Sequence, residues 1–310
     1  MWISKHVWFF RREKGPSSNA SVILDKKQIL IDPGTNSNGN LEELFCEMRK
    51  DGIKPESTQE IRMTHFHVDH VACIGELSHI LRCLVRGHSL AKKIAISHSP
   101  YSAYISNEMS ILDNLIEMGD PREKVIWSKI RWIFKIWMKK IVKEIAHDWK
   151  PIAIDRWLSF SRVEENGIRI LHLPGHTPDE LGFWMEKEKI LIGGDLITET
   201  DREFLPVVNV PSSSLNDALC SLEKIEELRP RVWLPGHGDP IQENEVSDVI
   251  ERARKISRKY KDKALFFWKS FSSIQAMKKL WQALPKTLSS RERFVLCHVI
   301  LKALKEENLI

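Results

Sequence analysis

Seven consecutive residues, Thr64-His65-Phe66-His67-Val68-Asp69-His70, constrain this chain more than any other feature. Three histidines and an aspartate within six residues are natural ligands for borderline divalent metals. A lone histidine is ordinarily a surface or hydrogen-bonded residue, but four ligand-type side chains at this density require a shared centre. The run opens at the end of Ile61-Arg62-Met63-Thr64-His65, a short apolar stretch read as a strand that leads into the polar cluster. Alternate residues of a strand share a face. His65, His67 and Asp69 are therefore expected to project together, with the following turn bringing His70 round.

Three later segments repeat the design, each placing a ligand-type residue at the end of an apolar run and beside glycine. They are Leu173-Pro174-Gly175-His176-Thr177, Ile192-Gly193-Gly194-Asp195 and Leu234-Pro235-Gly236-His237-Gly238. Glycine permits unusual dihedrals and the close backbone approach that a crowded centre needs. Upstream, Ile31-Asp32-Pro33-Gly34 ends another apolar run. Asp32 has two readings: a residue that orients a ligand through a hydrogen bond, or a turn aspartate before Pro-Gly.

Around these segments the pattern is α/β. Short apolar runs at 21–25, 27–32, 169–174, 181–185 and 189–195 read as strands, as does the run opening at Arg231. Helices are expected at 41–51 and 215–228. Strand–helix–strand order implies sheets covered by helices. Beyond Gln242 the strand signals stop, and 245–268, 274–283 and 290–307 read as helices. The 310 residues suffice for one large domain, 1–243, and a small helical one, 244–310.

The five cysteines, Cys46, Cys73, Cys83, Cys220 and Cys297, form no C-x-x-C pair, which argues against a disulfide framework or zinc finger and fits a reducing cytoplasm. The N-terminal run is interrupted by Lys5, His6 and Arg11, so no signal peptide is expected. No stretch has the ~18 uninterrupted apolar residues of a membrane span. The net charge of +5 is unevenly distributed: residues 241–310 hold 15 Lys and Arg against 8 Asp and Glu.

The ordered set Asp32, His65-to-His70, His176, Asp195 and His237 resembles the metallo-β-lactamase superfamily over roughly residues 17 to 242. The resemblance implies an αββα sandwich and a binuclear hydrolase. It assigns one metal to His65, His67 and His176, and a second to Asp69, His70 and His237, with Asp195 bridging. Asp69 and Asp195 are the expected catalytic residues. Zinc is the expected metal, two ions per chain, with Mn2+ or Fe2+ as alternatives. Such a pair lowers the pKa of a shared water toward neutrality for attack on a carbonyl or a phosphorus. Asp195 stands where β-lactamases of this fold commonly use cysteine or lack a bridge, and His67 where flavodiiron proteins use glutamate. Antibiotic hydrolysis and oxygen reduction are therefore disfavoured. The pattern is shared by glyoxalase II, acyl-homoserine lactonases and ribonuclease Z, so it implies hydrolysis without fixing the substrate.

Two segments bear on the substrate. His70 and His176 are 106 residues apart, more than compact members of the family show, and a helical insertion at about 99–157 accounts for the excess. Its second helix, 122–149, has an apolar stripe through Ile126, Ile130, Ile133, Trp137, Ile141 and Ile145, while Trp132 and Ile136 fall on the lysine-rich side. Packing on the body or a dimer partner, a lid over the site, and peripheral membrane contact are its three readings. The C-terminal helices loosely resemble the winged-helix tail of lactamase-beta-2-type proteins, and Arg252 to Lys263 is a dense basic run. A small ester, thioester or lactone is the expected substrate of a cytoplasmic homodimer. The alternative is a phosphodiesterase or endoribonuclease whose basic tail contacts RNA.

Overall fold

Alternation along the first strand places its side chains in two different cores. Val7 and Phe9 of β1 (Val7–Phe10) are buried with Ile168, Phe183 and Ile192, whereas Trp8 and Phe10 are buried with Leu44 and Leu77. A strand that buries both faces belongs to a sheet sandwiched between another sheet and a layer of helices. The structure, a computed structural model, describes residues 1–13, 17–95, 150–158, 167–200, 203–206, 212–288 and 290–310, with single positions at 106, 109, 132, 135 and 136.

The first sheet runs in order through β1, β2 (Ala20–Leu24), β3 (Gln28–Ile31), β4 (Thr58–Arg62), β5 (Leu84–Gly87) and β6 (Arg156–Trp157). β1 to β3 are antiparallel neighbours, and β3 to β6 are parallel. The second sheet contains β7 (Ile168–His172), β8 (Leu181–Met185), β9 (Ile190–Ile192), β12 (Val232–Leu234) and β13 (Ile241–Gln242), in the spatial order β13-β12-β9-β8-β7. β10 (Ile197–Thr200) and β11 (Glu203–Pro206) form a separate hairpin. Helices α1 (Asn40–Lys50) and α3 (Ile74–Leu81) cover the outer face of the first sheet, where Leu44, Met48 and Leu77 meet Leu30, Ile61 and Val85. Between them along the chain lies one short helix, α2 (Val68–Val71), and α4 (Lys92–Ala95) follows. Helices α5 (Leu215–Leu228) and α6 (Glu243–Ser270) cover the second sheet, packing Leu222, Ile225, Val249 and Ile250 on Trp184, Leu191 and Trp233. The expected αββα layering is thus present.

α7 (Ser273–Ala283) and α8 (Ser290–Glu306) close the chain and share a core with the second half of α6 and with Leu215 and Ala218 of α5. A capping box, in which the Gln242 and Glu245 side chains satisfy each other's backbone N–H groups, starts α6. The three long helices expected after Gln242 are present, and the described residues of this region add no strand. Most of the 99–157 insertion, including its apolar stripe, lies outside the described residues. Trp132, Lys135 and Ile136 are helical and exposed, as expected of its basic side.

Strand direction is what positions the site. β7 and β9 both run antiparallel to β8, and β12 runs parallel to β9, so these three strands point the same way. The segments carrying Asp32, His65, His176, Asp195 and His237 follow the C-terminal ends of β3, β4, β7, β9 and β12, respectively.

Candidate metal centre

The HxHxDH run departs from the strand expected for it. β4 ends at Arg62, and Asp69 and His70 sit on the single helical turn of α2, with His67 at its N-cap. The strand stops because Asp32 takes over its next donor: Thr64 N–H donates to Asp32 Oδ1 (2.8 Å) and Thr64 Oγ1 to Asp32 Oδ2 (2.6 Å). A loop followed by a helical turn then sends His65 and His67 one way and Asp69 and His70 another.

Two groups of side chains result. His65, His67 and His176 form one, and Asp69, His70, Asp195 and His237 form the other; within each group the ligand-type atoms lie within 4.8 Å of one another. His176 Nε2 is 2.7 Å from His67 Nδ1, and His237 Nε2 is 3.1 Å from Asp69 Oδ2. Asp195 reaches both groups, its Oδ2 lying 3.4 Å from the Nε2 atoms of His70 and His237 and 3.8 Å from His176 Nε2. All seven residues singled out in the sequence thus converge.

The set fits a pair of divalent cations. Buried polar atoms in proteins almost always find a partner, yet His65 Nε2 and Asp195 Oδ1 are buried without a hydrogen-bonding partner. Their chemistry, imidazole nitrogen and carboxylate oxygen, is that of a metal ligand. Gly236 leaves the room required: a Cβ there would collide with Asp195 Oδ1 and the His70 ring.

Asp32 resolves in favour of orientation. Besides holding Thr64, its Oδ2 is 2.9 Å from His70 Nδ1. Thr64 Oγ1 lies 3.0 Å from His65 Nδ1. With the threonine hydroxyl donating to Asp32, His65 Nδ1–H donates to the hydroxyl, and His70 Nδ1–H donates to the carboxylate. With Nδ1 so engaged, Nε2 is the atom each ring turns to the centre: His65 offers a lone pair there, and His70 would do so once its second proton is displaced by a metal. One carboxylate thereby sets one histidine from each group.

Three residues escaped the sequence reading. Thr64 is one. Glu180, fully buried, accepts from Asp195 N–H through Oε1 (2.6 Å), while its backbone oxygen accepts from Leu173 N and the next residue, Leu181, donates to Thr64 O. It therefore ties together the segments that carry His65, His176 and Asp195. Asn19 clamps the His237 loop: its side chain donates to the carbonyls of Pro235 and Gly238 and its N–H to that of Gly236. A buried acid beside an apolar strand, as in Asp179-Glu180-Leu181, was the available signal for Glu180. Asn19 has none, because its partners are 216 and 219 residues away.

The electrostatics of the two groups differ. Burial and mutual repulsion push the His65 and His67 pKa values well down, so these rings are neutral. Burial also opposes charge on His70 and His237, but the neighbouring carboxylates outweigh it. Asp195 and Asp32 hold His70 well up, and Asp195 and Asp69 raise His237 to about 10. Burial works against the Asp69 and Asp195 charges too, yet these histidines keep both carboxyls below the usual range. His65 and His67 are thus neutral imidazoles, whereas the other group is a network of carboxylates and imidazolium ions.

Residues 14–237 match the protein family described as the metallo-beta-lactamase superfamily. A "probable metallo-hydrolase" of Methanocaldococcus jannaschii is 39% identical over 228 residues, covering 73% of this chain and 89% of that protein. A second protein of that name, from Bacillus subtilis (strain 168), is 25% identical over 242 residues, 72% of this chain and 67% of that one. The crystal structure of a metallo-beta-lactamase family protein from Thermus thermophilus superposes with a TM-score of 0.67 at 19% identity, over 99% of this chain and 95% of that one. This last likeness is one of fold, and it extends through the C-terminal helices.

Proposed function

The chain belongs to the metallo-beta-lactamase superfamily and is a metal-dependent hydrolase, and on that premise we propose that it cleaves small esters, thioesters or lactones with two divalent ions, zinc first among the candidates. The observation that carries the binuclear reading is the position of Asp195, whose Oδ2 lies within 3.8 Å of nitrogens from both groups. In this reading His65, His67 and His176 hold one ion, Asp69, His70 and His237 hold the other, and Asp195 is shared. When bound, the metal pair would supply Lewis acidity and lower the pKa of a bound water toward neutrality.

The protein's own residues set direction and proton traffic. His65, His70 and His176 are buried, whereas His237 is 43% exposed and Asp69 is 26% exposed. Substrate therefore approaches from the Asp69–His237 side. Asp69 Oδ2, on that open side, is placed to accept the proton of the attacking water and return it to the leaving group. Asp195, buried between the two groups, keeps its negative charge where positive charge is greatest. Asp32 and Thr64 hold the rings of His65 and His70 in register while this happens.

Acyl substrates are preferred over RNA because part of the basic run in α6 is engaged within the molecule. Arg252 pairs with Asp248, Arg254 with Glu226 and Lys261 with Glu307. Residues 1–243 would form the hydrolytic unit and 244–310 a helical unit packed on α5.

The test combines elemental analysis with turnover of a thioester, a lactone, a p-nitrophenyl ester and bis-p-nitrophenyl phosphate. Two metals per chain and preferred cleavage of a carboxylic substrate are expected. One metal after saturation would overturn the binuclear assignment, and cleavage of the phosphodiester alone would overturn the substrate class.

A further inference from the structure

The far end of α6 carries a surface feature that hydrolysis does not use. Its solvent-facing stripe runs through Lys255, Arg258, Lys259 and Asp262 and ends in Phe266 and Lys269, all exposed. Phe266 is 63% exposed, an unusual position for a phenylalanine on a long, well-packed helix. It is not alone. Its ring lies 5.8 Å from that of Phe267, which lies 6.3 Å from that of Phe271 in the turn into α7. Phe271 is itself 37% exposed and carries the Lys279 ammonium 4.4 Å from its centroid. Between Asp262 and Glu292 the sequence has five lysines, one arginine and no acidic residue.

Two exposed rings, Phe266 and Phe271, backed by the partly buried Phe267 and flanked by lysines, match the interfacial zone of a bilayer, where rings enter the acyl boundary and ammonium groups stay at the level of the phosphates. We propose that this α6–α7 corner docks the enzyme peripherally on an anionic lipid surface. Charge complementarity selects that occupant: past Asp262 the sequence adds five lysines and one arginine before its next acidic residue, Glu292, and each lysine near such a surface strengthens binding about fivefold. The exposed rings separate a lipid surface from a purely electrostatic partner, since phosphate contacts alone give no reason to expose phenylalanine. The proposal is independent of the catalytic reading, because the corner holds none of the seven centre residues.

The experiment is co-sedimentation of the full, metal-loaded chain with vesicles of phosphatidylcholine alone and of equal parts phosphatidylcholine and phosphatidylglycerol, with oligouridylate binding and sedimentation velocity in parallel. The wild-type protein should pellet with the anionic vesicles, scarcely with the neutral ones, and less at high salt. Phe266→Ser should weaken binding about tenfold, from the lost burial of part of one ring. Lys269→Glu combined with Lys263→Glu should abolish it. Both changes lie on solvent-accessible positions, and turnover of a soluble substrate should be unaltered. Failure to bind anionic vesicles overturns the proposal, as does vesicle binding insensitive to Phe266→Ser. If Phe266→Ser instead abolishes oligouridylate binding or a concentration-dependent dimer, with no vesicle binding by the wild type, the surface belongs to that partner and the proposal is wrong.

Discussion

Loading the metal-free protein should release protons in a pattern set by the two ligand groups. His65 and His67, held neutral by burial and mutual repulsion, have no proton to lose near neutral pH. His70 and His237, held up by Asp195 and its neighbours, each carry one. A metal needs the lone pair that this proton occupies. Filling the group of Asp69, His70, Asp195 and His237 should therefore release about two protons, whereas His65 and His67 contribute none to the filling of the other group. The same protons act on stability. A histidine whose folded pKa exceeds its unfolded value near 6.5 stabilises the metal-free fold fully below that pH. For His237 the contribution is lost as pH rises through about 10. The metal-loaded fold follows the opposite trend, because protons and cations compete for the same nitrogens. The melting temperature gained on loading should therefore rise with pH across the neutral range, and activity should fall in acid as the second group is protonated. Stepwise titration of the metal-free protein in weak buffer with a pH indicator reads the protons, and calorimetry in two buffers of different ionisation enthalpy confirms the count. Equal release from both equivalents, or saturation by two metals with no net release, would refute the assignment of charge to the two groups.

Three substitutions probe the supporting residues. Asp32→Asn removes a carboxylate oxygen that Thr64 Oγ1 and His70 Nδ1 share; metal affinity should fall about 10- to 100-fold, measured by competition with a chromophoric chelator, while the far-ultraviolet circular dichroism stays unchanged. Burial pushes the Glu180 pKa well up, so Glu180→Gln, an uncharged isostere that still accepts from Asp195 N–H, should bind metal normally. Glu180→Ala, which leaves that N–H unsatisfied at a cost of about 1–3 kcal/mol, should weaken the second metal in the same assay, and equal behaviour of the two variants would count against the role. Glu60 lies buried between Arg62 and Arg86; Glu60→Ala should destabilise the fold by about 3–5 kcal/mol in denaturant unfolding without lowering metal stoichiometry.

The centre was more legible than its scaffold because its residues are chemically rare and locally dense. His65, His67, Asp69 and His70 announce themselves within six positions, and His176, Asp195 and His237 through their glycine neighbours. The strands that bear them were visible as short apolar runs, and the long helices as periodic ones. What the sequence concealed depends on distant pairing. The end of β4 at Arg62 is decided by Asp32, 32 residues from Thr64, so the run reads as a strand until its partner is known. β1 is absent from the expected strands because Val7–Phe10 buries both faces and shows no alternation of polarity. The Glu60–Arg62–Arg86 network was hidden for the converse reason. Charged residues at alternate positions of a strand normally mark a solvent face, but here Arg62 turns inward, its guanidinium 5.7 Å from the Phe183 ring of the opposite sheet.

Both ligand groups draw on both sheets. His65 and His67 follow β4 of the first sheet, and His176 follows β7 of the second. Asp69 and His70 lie beyond β4 on α2, whereas Asp195 and His237 follow β9 and β12. Either ion would therefore bridge the rim of the sandwich, where the inter-sheet apolar core of Ile31, Ile192 and Leu234 gives way to polar side chains. Without ions that rim is joined by the imidazolium–carboxylate contacts of His70 and His237 with Asp195 and Asp69, and by the Asn19 clamp on the His237 loop. Within the three-histidine group the contacts are weaker: the His67–His176 hydrogen bond joins two imidazoles (2.7 Å), and Asp195 Oδ2 stands farther off, 3.8 Å from His176 Nε2. A hydrogen bond between neutral groups is about half as strong as a charge-assisted one. Metal at that group should consequently add more to the cohesion of the rim than metal at the other, where an ion replaces attractions already present. Hydrogen exchange resolves the difference: partial loading at the three-histidine group should slow exchange in the Pro174–Thr177 loop more than full loading adds around Asp195 and His237.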